Sequence, residues 1–255
     1  MYEFSSQNIR LAFIDEPPTH GDRGEPVLLI HGFASTHAVN WVFPHWVKTL
    51  NAAGRRVIAL DNRGHGRSQK LYEPDAYHTE LMAEDARALL DHLGIERADV
   101  MGYSMGARIT AFLAKLHPSR VRSAVLGGLG SHLVDGFGLP QGIADAMEAP
   151  SAADLTNPMQ IMFRSFAEAT KSDLKALAAC ARGFRQLLTE DEAGRINVPA
   201  LVAVGSKDDV AGDPHRLAAM LPAARALEIP GRDHNRAVGD KLYKQGVIEF
   251  FEERP

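Results

Sequence analysis

One serine lies in a setting typical of an activated nucleophile. Ser104 is the centre of Gly102–Gly106, a G-x-S-x-G sequence that follows the apolar run Ala98–Met101 and opens the helical pattern Ser104–Leu116. A sharp strand-to-helix turn strains its central residue and projects the side chain outward, and flanking glycines avoid collisions there. The first amides of the helix favour a developing negative charge. We therefore predict that Ser104 is a nucleophile; the alternative is a glycine-flanked turn with Ser104 as a helix cap.

A serine hydroxyl needs a base that takes its proton and an acid that orients the base. His234 follows the last strand pattern of the chain, and Asp208 ends a G-x-x-D sequence that follows another strand. Both are expected at the carboxyl edge of the sheet, the same edge as Ser104, in the chain order serine, aspartate, histidine. The adjacent Asp209 competes for the role of the acid, and the spacing favours Asp208.

Backbone amides near this point could stabilise an oxyanion. The sequence His31–Phe33 follows a strand pattern, and its loop is expected to bring the Phe33 amide toward the Met105 amide. Two such amides would hold the oxyanion of a tetrahedral intermediate. The alternative is a plain turn, and His31 is expected to tie down the loop that it begins. In the glycine-rich stretch Asp61–Ser68, which lacks the glycine pattern of a phosphate-binding loop, Asp61 and Arg63 are expected to brace neighbouring loops.

The remaining side chains offer no metal or redox centre. The only cysteine is Cys180, and no two histidines show metal-ligand spacing with a supporting acid, so neither a metal nor a cofactor is predicted. The other histidines are interpreted as surface or capping residues: His20, His37, His45, His78, His92, His117, His132 and His215.

Apolar runs that alternate with amphipathic stretches predict an α/β fold, a mostly parallel sheet with helices on both faces. The predicted strands are Ile9–Ile14, Val27–His31, Arg56–Leu60, Ala98–Met101, Val121–Leu126, Ala200–Val204 and Ala226–Ile229. The predicted helices of this core are His78–Leu93, Ser104–Leu116 and Val238–Glu252.

The alternation is interrupted between residues 131 and 195. This stretch shows helical patterns only, over Gln141–Met147, Pro158–Ala169 and Ser172–Leu188. We therefore expect a core domain of residues 1–130 and 196–255 with a helical cap, residues 131–195, over the strand ends. Apolar cap residues either line an acyl pocket or form the core of the cap: Met147, Met159, Ile161, Met162, Phe163, Phe166, Leu174 and Leu177.

Composition narrows the class of protein. The 255 residues are 45% hydrophobic and 24% charged, with a formal net charge of −4, which is typical of a globular protein and lacks the basic excess of nucleic-acid binders. No apolar run is long enough to cross a membrane, and the first residues do not resemble a signal peptide. A cytoplasmic protein is expected that binds neither nucleic acid nor membranes; the sequence does not indicate an oligomeric state.

Taken together, these motifs resemble the α/β-hydrolase superfamily, in particular its small capped serine esterase or lactonase members. The resemblance runs from about Val27 to Phe251 and includes a stretch similar to D-x-R-G-x-G-x-S. It is carried by His31–Phe33, Asp61–Ser68, Gly102–Gly106, Gly205–Asp208 and Gly231–His234.

The resemblance implies a role for each candidate residue. It implies Ser104 as nucleophile, Asp208 as orienting acid, His234 as base, and the Phe33 and Met105 amides as the oxyanion hole. The expected activity is cleavage of small carboxylic esters through an acyl-enzyme. A carbon–carbon bond hydrolase, an enol-lactonase or a ligand-sensing protein on the same fold remain alternatives. Haloalkane dehalogenases and epoxide hydrolases are disfavoured, because they carry aspartate at the nucleophile position.

Overall fold

The computed structural model describes residues 1–136 and 139–254. Phe137, Gly138 and Pro255, which fall within the predicted cap and core ranges, lie outside the described residues. Among the residues described, one sheet has eight strands in the order β1-β2-β4-β3-β5-β6-β7-β8. The strands are β1 Tyr2–Ser6, β2 Ile9–Glu16, β3 Val27–Ile30, β4 Val57–Leu60, β5 Ala98–Tyr103, β6 Val121–Gly127, β7 Ala200–Gly205 and β8 Ala224–Ile229.

The sheet is parallel from β4 to β8, and β1 and β2 add an antiparallel edge. The central strands are buried on both faces. In β3, Leu28 and Ile30 pack into one apolar cluster while Val27 and Leu29 pack into the cluster on the opposite face. Successive side chains of a strand point to opposite faces, so two-sided burial explains the uninterrupted apolar runs.

Helices cover both faces of the sheet. They are α1 Trp46–Ala52, α2 Thr79–His92, α3 Met105–Leu116, α4 Ile143–Glu148, α5 Pro158–Ala169, α6 Leu174–Gly183, α7 Glu190–Ala193, α8 Pro214–Met220, α9 His234–Ala237 and α10 Lys241–Glu253. Short 3-10 turns span Pro74–Tyr77, Pro118–Arg120, Ser131–Leu133 and Ala152–Asp154, and a π-helical turn spans Ala38–Val42. In the described part of the chain, no helix is both long and apolar enough to span a membrane.

The predicted fold class is confirmed, with differences at several elements. The strand β1 and the helices α1, α7, α8 and α9 have no counterpart in the prediction. The helix expected over Ser172–Leu188 ends at Gly183, where a Cβ would lie 1.9 Å from the Pro74 carbonyl oxygen. The last helix begins at Lys241 rather than Val238, because Asp240 caps it by accepting from the Leu242 amide.

Between β6 and β7, residues 131–195 form no strand in their described part, and we call them the helical segment. The segment is tied to the loops that follow the strands. Thr170 Oγ1 donates to the Ala34 carbonyl at 2.9 Å, and the rings of Phe163 and Phe33 lie edge to face, 6.0 Å apart. The helical segment therefore lies against the loop that follows β3.

Candidate active site

Ser104 occupies the turn between β5 and α3 in a backbone conformation that few residues other than glycine adopt. Its φ is 54° and its ψ is −113°. The turn needs glycine on both sides of Ser104, because a Cβ would collide at either position. A Cβ at Gly102 would lie 2.1 Å from the Gly106 carbonyl oxygen, and a Cβ at Gly106 would lie 1.9 Å from the Ile30 carbonyl oxygen. The two glycines let the strand, the turn and the loop after β3 approach each other closely.

The structure brings Ser104, His234 and Asp208 together, although they are far apart in the sequence. His234 Nε2 lies 3.0 Å from Ser104 Oγ, and His234 Nδ1 lies 2.8 Å from Asp208 Oδ2. An acid that accepts from Nδ1–H leaves Nε2 with a lone pair directed at the hydroxyl. This arrangement can take a proton from Ser104.

The loop after β7 holds Asp208 in place. Its side chain is fully buried, and its Oδ1 accepts from the amides of Val210 at 2.9 Å and Ala211 at 3.1 Å. Asp209, the competitor for the same role, is exposed, and among the residues described the hydrogen bonds of the His234 ring go to Asp208 and Ser104. The structure therefore brings Asp208, and not Asp209, to the imidazole.

His234 is the first residue of the short helix α9, which fixes its direction. Asp233 caps this helix by accepting from the Asn235 and Arg236 amides at 3.1 and 2.8 Å. The Tyr103 hydroxyl donates to the His234 carbonyl at 2.6 Å, and burial raises the pKa of Tyr103 well above its ordinary value. Tyr103 therefore stays a neutral donor that links β5 to α9.

The loop after β3 runs beside Ser104. A Cβ on Gly32 would lie 3.2 Å from the Tyr103 carbonyl oxygen and 3.5 Å from Ser104 Cβ. No hydrogen bond from the Phe33 or Met105 amide to any described residue is found. Met105 opens α3, so its amide has no partner within the helix. Both amides are free to donate to a ligand.

A buried polar layer supports this loop. His31 Nε2 accepts from the Asn62 amide at 3.0 Å, its Nδ1 donates to the Gly32 carbonyl at 2.7 Å, and burial lowers its pKa to about 4. Asp61 accepts from the His37 and Arg67 amides at 2.8 and 2.9 Å, and the His37 ring also bonds to it. Asp61 thus braces the loop as expected, whereas His37 contacts this layer and is not a plain surface residue.

A cavity of about 170 Å³ opens on Ser104 and His234. From the helical segment, Met162, Phe163 and Phe166 line it. Of the other apolar residues considered in the sequence, Met147 and Leu177 are buried in the core, and Ile161 is partly exposed. The remaining lining residues are Gly32, Phe33, Ser35, Val39, Asn40, Tyr103, Asn235 and Val238.

Comparison with known proteins matches residues 25–156, more than half of the chain, to the model of the α/β hydrolase fold family. The chain belongs to the α/β-hydrolase family. The chain is 33% identical over 231 residues to the dihydrolipoyllysine-residue acetyltransferase component of the acetoin cleaving system of Pseudomonas putida, matching 84% of this chain but only 60% of that longer protein.

Two further relatives illustrate the range of the family. The chain is 34% identical over 171 residues to 2-hydroxymuconate semialdehyde hydrolase of a Pseudomonas species, and the match covers 64% of this chain and 57% of that protein. The enol-lactonase of Burkholderia xenovorans LB400 has a similar structure, with a TM-score of 0.75, 23% identity, and coverage of 99% of this chain and 100% of that one. The similarity to the enol-lactonase shows a shared fold only.

Several residues around the cavity were not singled out in the sequence. Ser35 and Asn40 lie in the loop after β3, and Val238 follows α9. The motif His31–Phe33 marks the start of that loop, but no pattern in the sequence indicates which later residues return to the nucleophile. No group of three or more histidine, cysteine or acidic residues that could hold a metal is found within residues 1–136 and 139–254.

Proposed function

We propose that this hydrolase cleaves carboxylic esters of small molecules through an acyl-enzyme on Ser104. The observation that carries the proposal is the continuous chain of polar contacts from Ser104 Oγ through His234 to the buried Asp208, with distances of 3.0 and 2.8 Å. A hydroxyl next to a base, with the base oriented by a third group, is the arrangement of an activated nucleophile. These polar contacts therefore support nucleophilic catalysis at Ser104.

In the proposed first step, Ser104 Oγ attacks the ester carbonyl and its proton moves to His234 Nε2. Asp208 stabilises the imidazolium, and the carbonyl oxygen becomes an oxyanion between the Phe33 and Met105 amides. The imidazolium then gives its proton to the alkoxide, and the alcohol leaves. Donors that are already placed for the oxyanion contribute the largest part of such catalysis, because they need no reorganisation during the reaction.

In the second step, water takes the place of the alcohol. His234 removes a proton from the water, whose oxygen attacks the acyl carbon, and a second oxyanion forms at the same two amides. Its collapse breaks the bond to Ser104 Oγ, which regains a proton from His234, and the carboxylic acid leaves. This chemistry uses water and the side chains and backbone amides of the protein, so we propose a cofactor-free enzyme.

The volume and the lining of the cavity are our reasons to propose a small or medium acyl group. Met162, Phe163 and Phe166 supply an apolar wall, and the thioether of Met162 adapts to acyl groups of varied shape. We propose that the helical segment acts as a cap that sets substrate preference while the core, residues 1–130 and 196–255, performs the chemistry. A cytoplasmic location remains our proposal.

A carbon–carbon bond hydrolase or an enol-lactonase with the same three residues is the second candidate. The observation that favours it is the similarity to 2-hydroxymuconate semialdehyde hydrolase. A ligand-sensing protein is less well supported, because such a protein does not need an activated serine.

An activity screen separates these functions. The purified hydrolase is given p-nitrophenyl esters of increasing chain length, lactones and vinylogous diketones, each also with the Ser104→Ala variant. We expect the highest kcat/KM on an ester, and loss of that activity in the variant. Higher kcat/KM on a vinylogous diketone or a lactone would replace ester cleavage by the second candidate, and turnover of any substrate unaffected in Ser104→Ala would contradict the mechanism.

A further inference from the structure

Ser35 lines the cavity and has a hydroxyl with no partner. The residue is 2% exposed, and its Oγ is buried without a hydrogen bond in the described part of the chain. A buried hydroxyl without a partner destabilises the folded protein, because it has lost its hydrogen bonds to water and gained none in return. A ligand oxygen in the cavity would supply the missing partner after a rotation about χ1 of Ser35.

Asn40 lines the same cavity and has an amide that is only half used. Its Oδ1 accepts from the Gly32 amide at 2.9 Å. Because the Gly32 group is a donor, the oxygen of the side-chain amide must face it, and the nitrogen must face away. That nitrogen donates to no residue within 1–136 and 139–254, although only 7% of Asn40 is exposed. Two N–H donors are thus left for a ligand.

Asn40 lies on the side of Gly32 that faces the nucleophile's neighbourhood. A Cβ on Gly32 would be 3.5 Å from Ser104 Cβ and 3.7 Å from Asn40 Oδ1, so Ser104 and Asn40 both lie next to Gly32. Ser35 belongs to the same loop, and its amide donates to the Gly32 carbonyl at 3.3 Å. The other walls of the cavity are largely apolar: Phe33, Val39, Met162, Phe163, Phe166 and Val238. The two side chains with unused donors therefore lie on one loop, and this loop passes beside Ser104.

We propose that Ser35 and Asn40 form a subsite for a second acceptor oxygen of the substrate, an ether or carbonyl oxygen one or two atoms from the scissile carbonyl. This inference rests on the proposed ester hydrolysis and deepens it, because it names the substrate class: short oxygen-substituted acyl esters and lactones rather than plain alkyl esters. A site with buried donors discriminates against a ligand that leaves them unpaired. Asn40 also positions the loop through Gly32.

The test uses two esters that differ in one atom, p-nitrophenyl ethoxyacetate and p-nitrophenyl pentanoate. The ether oxygen replaces a methylene and accepts hydrogen bonds without donating any. For each enzyme variant, kcat/KM on the ether ester is divided by kcat/KM on the alkyl ester. The difference in intrinsic reactivity between the two esters is the same for every variant, so it cancels when these ratios are compared.

Ser35→Ala should lower this ratio about 3- to 10-fold, which corresponds to one neutral hydrogen bond. Asn40→Asp keeps an oxygen for the Gly32 amide but removes both donors, and it should lower the ratio as well. Ser172→Ala is the matched control, because Ser172 Oγ lies 3.5 Å from the Ala34 carbonyl in the same region but does not line the cavity. The control should keep the wild-type ratio.

The possible failures are distinguishable. A ratio that stays within about twofold of wild type in Ser35→Ala and Asn40→Asp, while Ser104-dependent hydrolysis of both esters continues, overturns the subsite and leaves the proposed function intact. If neither ester is cleaved in a Ser104-dependent way, the proposed function and the subsite fail together. Should Asn40→Asp not fold, as judged by its melting temperature, Ser35→Ala alone decides.

Discussion

The loops at the carboxyl edge of the sheet, which carry Ser104, Asp208 and His234 and which we call the rim, meet the helical segment at one cavity. The rim and the helical segment hold their side chains in different ways. On the rim, Ser104 is fixed by a strained turn, Asp208 by two backbone amides and His234 by a capped helix. From the helical segment, Met162 and Phe166 are half-buried and reach the cavity mainly through apolar packing. Directional contacts fix a geometry, whereas apolar packing tolerates changes of shape. We therefore expect the rim to determine the chemistry and the segment to determine the choice of substrate.

The largest expected effect comes from the acid of the rim. Asp208→Asn should lower kcat by about four orders of magnitude, because an amide cannot hold the imidazole in the required tautomer. Asp209→Asn is the matched control, since Asp209 is adjacent and exposed, and it should change kcat little. Steady-state kinetics on the best ester provides the measurement; the opposite ranking of the two variants would assign the role to Asp209.

The polar layer below the rim should make the folded protein sensitive to acid. His65 belongs to this layer, because it is buried and its ring lies 5.3 Å from the ring of His31. Burial lowers the pKa of His31 to about 4 and of His65 to about 3, from 6.5. Below pH 6.5 the unfolded chain binds protons that the folded chain does not bind, so the free energy of unfolding falls as the pH falls toward 4. Each histidine contributes a slope of up to about 1.4 kcal/mol per pH unit in this range.

Urea unfolding between pH 7 and pH 4 measures that slope. His65→Gln should remove up to about half of the histidine contribution, whereas the same change at the exposed His215 should leave the slope as it is. An equal slope in wild type and His65→Gln would show that His65 does not resist protonation in the folded state.

A smaller effect is expected from the helical segment. Phe166→Ala enlarges the cavity and should change the relative kcat/KM for short and long acyl chains about 10-fold, because one or a few methylene contacts contribute roughly 1–3 kcal/mol. Reactivity of Ser104 toward a small phosphonate should remain. Ile161→Ala, at a residue of the same helix that does not line the cavity, is the control. Equal losses on every ester with a lower melting temperature would assign Phe166 to the packing of the segment.

The sequence predicts the rim better than the cavity, for a physical reason. A strained serine turn needs glycines at fixed spacing, and residues that follow parallel strands meet at one edge of the sheet. These two features of the sequence are enough to predict that Ser104, Asp208 and His234 lie near each other. The walls of the cavity depend on how the helical segment packs. Met162 and Met147 are the same residue type at helical positions, yet one lines the cavity and the other is buried in the core.

Local patterns also do not show contacts between distant parts of the chain. At Gly183, the last residue of α6, the Pro74 carbonyl leaves no room for a Cβ, and nothing near Gly183 in the sequence indicates that contact. Similarly, the polar role of His37 depends on Asp61, which is 24 residues away. Such contacts link distant parts of the chain, so periodicity within one segment does not show them.

Covalent labelling of Ser104 tests the central claim most directly. The protein is treated with a small alkyl fluorophosphonate, digested and mapped by mass spectrometry, alongside Ser104→Ala and His234→Ala. Because only a hydroxyl with an adjacent base is activated, we predict one modified peptide, with the phosphonate on Ser104, none in Ser104→Ala and much slower labelling in His234→Ala. Modification at another serine, or equal labelling rates in wild type and His234→Ala, would contradict the account.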